Sequence, residues 1–221
     1  MDQPANPIMT DGAASLLVAA LEHTWQSIRS RHPQVPEAVL VVASGAEGKR
    51  LNLGHFAPHR WQVHGIDRHE VLVGGEGLHR GLVDVLGTLL HEAAHGLACA
   101  RSIQDTSRQG RYHNRRYATL AQELGLEVTS VKPIGWSATT VPEPTASAYA
   151  GQLEDLAAAL VLWRRQEYHI GPGTRSRNLL AAGCGCGRRI RAAKTTLAEA
   201  PIVCGACLQP FQPADTDQAS N

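Results

Sequence analysis

No long apolar run occurs anywhere in this 221-residue chain, and no charge of one sign dominates it. The 21 Lys and Arg face 20 Asp and Glu, for a formal net charge of +1. The first absence excludes a helical membrane span. The second leaves partners undecided at the level of total charge, so only the distribution of charge is informative. No internal repeat is visible, which sets aside solenoids and propellers. The glycine run Gly74-Gly75-Glu76-Gly77 is too short and wrongly placed for a phosphate loop and reads as a turn. Cysteine is scarce at five residues, and no secretory signal pattern is seen. The expected setting is therefore a reducing cytoplasm, nucleoid-associated locations included, where clustered thiols favour metal over disulfide. The length suits one domain of ordinary size plus a small module.

What is present is concentrated in His91-Glu92-Ala93-Ala94-His95. The flanking segment 82–101 (LVDVLGTLLHEAAHGLACAR) is apolar at helical spacing, which sets both histidines one turn apart on one face. Two imidazoles so placed can share one Zn²⁺, and Glu92 beside the first is placed to take a proton from water there. With eleven His and twelve Glu, HExxH arises by chance in about one such chain in thirty. The apolar flank argues against chance, because two imidazoles and a carboxylate in an apolar helix are costly to bury without a metal.

The spacing of a third ligand separates the candidate classes. An HExxHxxGxxH extension fails, since Ala98 and Arg101 occupy the required Gly and His positions. After a turn-rich stretch, 102–110, comes a second helical pattern, 114–124, with Tyr117, Leu120, Ala121 and Leu124 on one face and Gly125 as its stop. His113 at its start is the expected third ligand. Glu123 is the rival, a carboxylate ligand on the helix surface.

These residues resemble the SprT-like zinc-peptidase family, to which DNA-dependent proteases of crosslink repair belong. The resemblance rests on HEAAH, a polar loop, His113-Asn-Arg-Arg-Tyr117 and LAQELGLEV, with Leu53-Gly54-His55 and Arg60-Trp61 upstream. It covers roughly residues 35–128. Asn114 stands where that family usually has Gly. The resemblance implies His91, His95 and His113 as zinc ligands, Glu92 as catalytic acid–base, and a protein substrate associated with DNA, single-stranded or at junctions.

A second cluster is made of cysteine. Cys184-Gly-Cys186 and Cys204-Gly-Ala-Cys207 are separated by the seventeen residues 187–203, the length of a zinc-ribbon hairpin. Four thiolates complete a closed structural site, giving two expected zincs per chain. A disulfide pair is the competing reading. Bacterial SprT-like proteins carry a similar CxC…CxxC ribbon. Cys99, the fifth cysteine, reads as a small core residue.

The expected class is α+β: a zincin-like minimal metallopeptidase domain over 11–130, a connector and long helix over 131–173, and a zinc ribbon over 174–211. Tails 1–10 and 212–221 are expected to be disordered. Within the first domain Asp11 caps a helix to about Arg31, with Leu16, Leu17, Ala20, Leu21, Trp25 and Ile28 inward. Strands follow at 37–44, 59–64 and 69–73 in a small, mostly antiparallel sheet, and Glu70 to Val73 is the expected substrate-pairing edge. Val131 to Thr145 reads as a proline-rich connector and Ala146 to Arg165 as one long helix. Tyr112 and Tyr117 are candidate oxyanion donors. Arg175, Arg177, Arg188, Arg189, Arg191 and Lys194 form a basic cluster suited to phosphate backbones. Two other functions fit the same features: a nucleic-acid-binding adaptor whose HExxH zinc is structural, and a regulatory peptidase that cleaves one repressor.

Overall fold

The computed structural model, which describes residues 12–47, 50–166 and 179–213, is of mixed α+β class, with helices and several small sheets. Of the expected tails 1–10 and 212–221, residues 1–10 and 214–221 lie outside the described residues, as do Asp11, Arg175 and Arg177. Two compact units divide the chain, Met1–Gln166 and Glu167–Asn221. No described helix is long and apolar enough to cross a membrane.

The first unit begins with α1 (Ala13–Arg31), then β1 (Ala38–Ala43) and a two-residue ladder, β2 (Ala46–Glu47) with β3 (Arg50–Leu51). A long hairpin follows, β4 (Gly54–Val63) and β5 (Ile66–Gly74), then a 3₁₀ turn (Gly75–Arg80) and α2 (Leu82–Ala100). Next come β6 (Thr106–Ser107), β7 (Tyr112–His113), α3 (Arg115–Glu123), β8 (Glu127–Val131), β9 (Gly135–Thr140), α4 (Glu143–Ala148) and α5 (Ala150–Ala159).

The core lies around α2, which is apolar because it is enclosed. Val85, Leu86, Leu89, Leu90, Ala93, Ala94 and Leu97 are all buried, packed with Leu17, Leu21, Trp25 and Ile28 of α1, Val71 and Val73 of β5, and Tyr117, Leu120 and Ala121 of α3. Each leucine so enclosed contributes about 1.5–3 kcal/mol relative to exposure. The helix is therefore a fixed axis onto which the polar residues of its one wet face are mounted. Leu16, expected to point inward, is 61% exposed. It sits one position round the wheel from Leu17, at the rim of the stripe.

Two expectations about the sheet are corrected. Its order is β1-β5-β4, with β1 parallel and β4 antiparallel to β5, so it is mixed rather than mostly antiparallel. Glu70 to Val73 belongs to the central strand and is not an edge. The edge beside α2 is β4, because β5 is flanked on both sides. The glycine run is a 3₁₀ turn holding the buried Glu76, which accepts hydrogen bonds from Gly45 N–H, Ser44 Oγ and Arg164 Nη1.

The segment read as a connector is also structured. Pro133 lies between β8 and β9, Gly135 opens β9 and Pro142 follows it; the two strands pair with each other, and Gly135 pairs with His113 of β7. The expected helix 146–165 is two, broken at Tyr149 and ending at Ala159. Ala146, Tyr149, Leu156 and Ala159 are its buried apolar residues, while Trp163 is 57% exposed.

The second unit is a sheet of order β11-β10-β12, built from β10 (Leu179–Gly183), β11 (Arg189–Ala193) and β12 (Gln212–Pro213), with a short α6 (Lys194–Glu199) after β11. Gln212 and Pro213, expected to belong to the disordered tail, instead pair with Gly183 and Ala182.

Candidate functional site

Three histidines from two helix-borne segments meet on the wet face of α2. His91 and His95 come one turn apart from α2, and His113 comes from β7, immediately before α3. Their ring centroids stand 5.1–5.2 Å from one another. The Nε2 atoms of His95 and His113 are 3.2 Å apart. Nitrogens bound 2.0–2.1 Å from one shared ion at tetrahedral angles lie about 3.4 Å apart, so the spacing suits a metal. One ligand atom from each of the three lies within 4.8 Å of the others, and the group can hold a metal ion.

The local fold explains how His113 is delivered. Asn114 caps α3, its Oδ1 accepting from the N–H groups of Arg116 and Tyr117, while its Nδ2 donates to Gln104 O. Its φ of −89° needs no glycine. The His113 N–H donates to Ile134 O. Gly135, at φ +77°, makes room for that approach: a Cβ there would stand 2.2 Å from the His113 carbonyl oxygen. Tyr117 then forms the floor, its ring 4.5–4.9 Å from all three imidazoles and wholly buried.

Outer partners orient the rings. Asp105 Oδ2 lies 2.5 Å from His95 Nδ1, and Thr139 Oγ1 lies 3.4 Å from His91 Nδ1, so both Nε2 atoms are turned to the common centre. Burial disfavours charge on His95, but the Asp105 carboxylate outweighs it and raises its pKa. Burial, then repulsion from His95 and His113, holds His91 well below the usual range. Burial and repulsion from His95 bring His113 to about 4. Neutral imidazoles are the form that ligates metal, which the lowered values of His91 and His113 favour, while Asp105 on Nδ1 leaves the Nε2 of His95 turned to the common centre.

Glu92 is 4% exposed, and burial pushes its carboxyl up to about 7, against the pull of His95 and of the Phe56 N–H that donates to it. The fit with β4 is close. A Cβ on Gly54 would meet Glu92 Oε1 at 2.8 Å and Thr88 Cγ2 at 2.8 Å, so this strand lies against the carboxylate only because residue 54 has no side chain.

Two clefts open onto the triad. One, of about 840 Å³, runs past His55, Phe56, Pro58, Ile103, Asp105 and Arg111. The other, of about 700 Å³, runs past Arg80, Val83, Gly87, Thr139 and Val141. Gly54, His91, Glu92, His113 and Ser137 line both.

Of the residues singled out from sequence, His91, Glu92, His95 and His113 come together. Glu123 does not: it ion-pairs with Arg101 at 2.6 Å, away from the triad. Tyr112 and Tyr117 line neither cleft. Tyr112 lies under the Arg108 guanidinium and Tyr117 beneath the rings, so neither faces the groove as an oxyanion donor would. Cys99 is half-buried and borders the larger cleft rather than the core. Asp105, Thr139, Gly54 and Ser137 were missed, because no spacing rule ties them to HExxH.

In the second unit Cys184, Cys186, Cys204 and Cys207 form a group that can hold a metal ion. All are free thiols, with Sγ separations of 3.2 Å (Cys184 to Cys186) and 3.8 Å (Cys186 to Cys204). The N–H groups of Ala206 and Cys207 aim at Cys204 and lower its pKa to about 6, while the Gln209 N–H lowers that of Cys207. Sulfurs surrounded by backbone donors are favoured as thiolates, the metal-binding form. Arg188, Arg189, Arg191 and Lys194 are all exposed. Comparison with protein-family models, with curated proteins and with solved structures finds no match for this chain.

Proposed function

We propose that this chain is a zinc-dependent peptidase that hydrolyses protein substrates, with a zinc ribbon as its second unit. The observation that carries the reading is the buried Glu92 carboxylate set beside three convergent imidazoles at the meeting of two open clefts. A purely structural zinc needs neither the base nor the clefts.

Zinc held by His91, His95 and His113 would supply Lewis acidity and lower the pKa of water. Glu92 takes the proton of the attacking water and passes it to the leaving amine nitrogen. Gly54 and the Phe56 N–H fix the carboxylate for both transfers, and Asp105 fixes the His95 ring. β4 has one strand neighbour, so its outer edge is available to an extended substrate segment lying across the clefts.

The resemblance to SprT-like peptidases extends the proposal to DNA-associated protein substrates in the cytoplasm or nucleoid. The exposed Arg188, Arg189, Arg191 and Lys194 around the cysteine unit support contact with a phosphate backbone. The adaptor and repressor-cleaving alternatives separate from this reading on two observables. An adaptor binds DNA but cleaves nothing, and a repressor-specific peptidase is indifferent to single-stranded DNA.

The test is turnover of fluorescently labelled, denatured casein, with and without single-stranded DNA, by the wild type and by Glu92→Gln. The variant is expected to keep its zinc, measured by mass spectrometry, and to lose cleavage by at least about a hundredfold. Equal turnover by the two proteins removes Glu92 from the chemistry.

A further inference from the structure

At the triad His113 Nδ1, Tyr117 Oη and Ser137 Oγ are all buried without a hydrogen-bond partner among the described residues, and of these Ser137 is neither a candidate ligand nor set beneath the rings. Ser137 Oγ is buried and has no hydrogen-bond partner among the described residues, an arrangement that costs free energy unless a partner arrives. Its place in the fold is specific. β9 is irregular against β8 between Gly135 and Ala138, and Ser137 lies within that irregularity. Gly135 pairs with His113 of β7, and Thr139 touches His91. Between these two contacts Ser137 lines both clefts together with His91, Glu92 and His113.

Peptide hydrolysis needs a donor aimed at the carbonyl oxygen as it gains charge. The tyrosines do not provide it, since neither lines a cleft. We infer that the Ser137 hydroxyl is that donor, a catalytic residue that hydrogen-bonds the scissile carbonyl oxygen as it becomes an oxyanion. This inference rests on the peptidase reading above. The water oxygen forms a bond to the carbonyl carbon while Glu92 takes its proton, and the C=O π pair moves onto the oxygen facing Ser137. On collapse that pair re-forms the carbonyl, the C–N bond breaks, and the leaving nitrogen takes the proton from Glu92. Ser137 keeps its own proton throughout. Its hydroxyl hydrogen turns freely about the Cβ–Oγ bond and so can follow the oxygen.

The test compares the wild type with Ser137→Ala and Ser137→Thr in full-length, zinc-loaded protein. Casein turnover is measured beside binding of a phosphinic peptide, whose P–O⁻ stands in for the tetrahedral oxygen. Ser137→Ala is expected to lower kcat about a hundredfold with KM near the wild-type value. It should weaken phosphinic-peptide binding and leave zinc content and Tm unchanged, while Ser137→Thr restores most of the rate. A kcat for Ser137→Ala within twofold of wild type overturns the inference, and so does an effect confined to KM. Loss of zinc in Ser137→Ala also overturns it, since the hydroxyl would then serve the fold. A wild type that neither cleaves casein nor binds the phosphinic peptide sinks the peptidase reading itself, which separates the two failures.

Discussion

The two metal-ligand clusters are built on opposite plans. The histidine triad is mounted on α2 and the segment before α3, whose other faces are embedded in the main core, and its rings rest on the buried Tyr117. The cysteine group sits in a unit where, among the described residues, only Ala182, Cys184 and Cys204 are buried. The first cluster is held in shape by the fold and has open clefts beside it. The second has little core among its described residues, so on the proposed reading a bound metal would hold its fold. An open site on a rigid scaffold suits catalysis, and a closed four-thiolate site suits structure.

Stripping the metal should break that comparison most visibly. Structural zinc contributes roughly 10–16 kcal/mol in small metal-folded domains. Chelation, or Cys204→Ser, is therefore expected to abolish amide-exchange protection across residues 179–213 while the first unit keeps a cooperative melt. Hydrogen exchange read by mass spectrometry checks this. Retained protection in 179–213 without metal would show that the small sheet stands alone.

A smaller effect concerns Glu92. Its folded pKa of about 7 lies above the usual carboxyl value of 4.5. Below pH 4.5 the folded and unfolded states are both protonated and the group is neutral in the balance. As pH rises from there to about 7, the unfolded chain releases the proton and the folded chain retains it. The metal-free protein thus loses stability across that window, by about 3 kcal/mol in all. Tm of metal-free wild type and Glu92→Gln at pH 5 and pH 8 should diverge at the higher pH, the variant being the more stable. Parallel curves would mean that Glu92 ionises freely where it lies.

Smaller still is the role of Asp105. Removing its charge frees the His95 ring, and Asp105→Asn should weaken zinc binding about 10–100-fold without unfolding the first unit. Competition with a fluorescent zinc chelator measures this, and unaltered affinity would reduce Asp105 to a surface acid.

Much of this arrangement was readable before any coordinates. The helical spacing of Leu86, Leu89, Leu90, Ala93 and Leu97 marked α2, and Gly125 marked the end of α3. CxC and CxxC at hairpin distance marked the second cluster. These are local patterns, with partners a turn or a short hairpin apart. The errors came where tertiary pairing decides. Glu70 to Val73 looked like an edge because sequence does not say which strand lies in the middle. Pro133 and Gly135 looked like connector residues, whereas they stand at the turn between β8 and β9. Asp105, Thr139, Gly54 and Ser137 reach the triad from loops and strands with no fixed offset from His91, and Asn114 replaced an expected glycine by serving as a cap.

Metal content per chain of the wild type, His113→Ala and Cys204→Ser, by native mass spectrometry, addresses the central claim most directly. Two zincs are expected in the wild type and one in each variant, the remaining ion lying in the cysteine cluster of the first and in the histidine triad of the second. A His113→Ala protein that still carries two would contradict the account, because the third imidazole would then hold no metal.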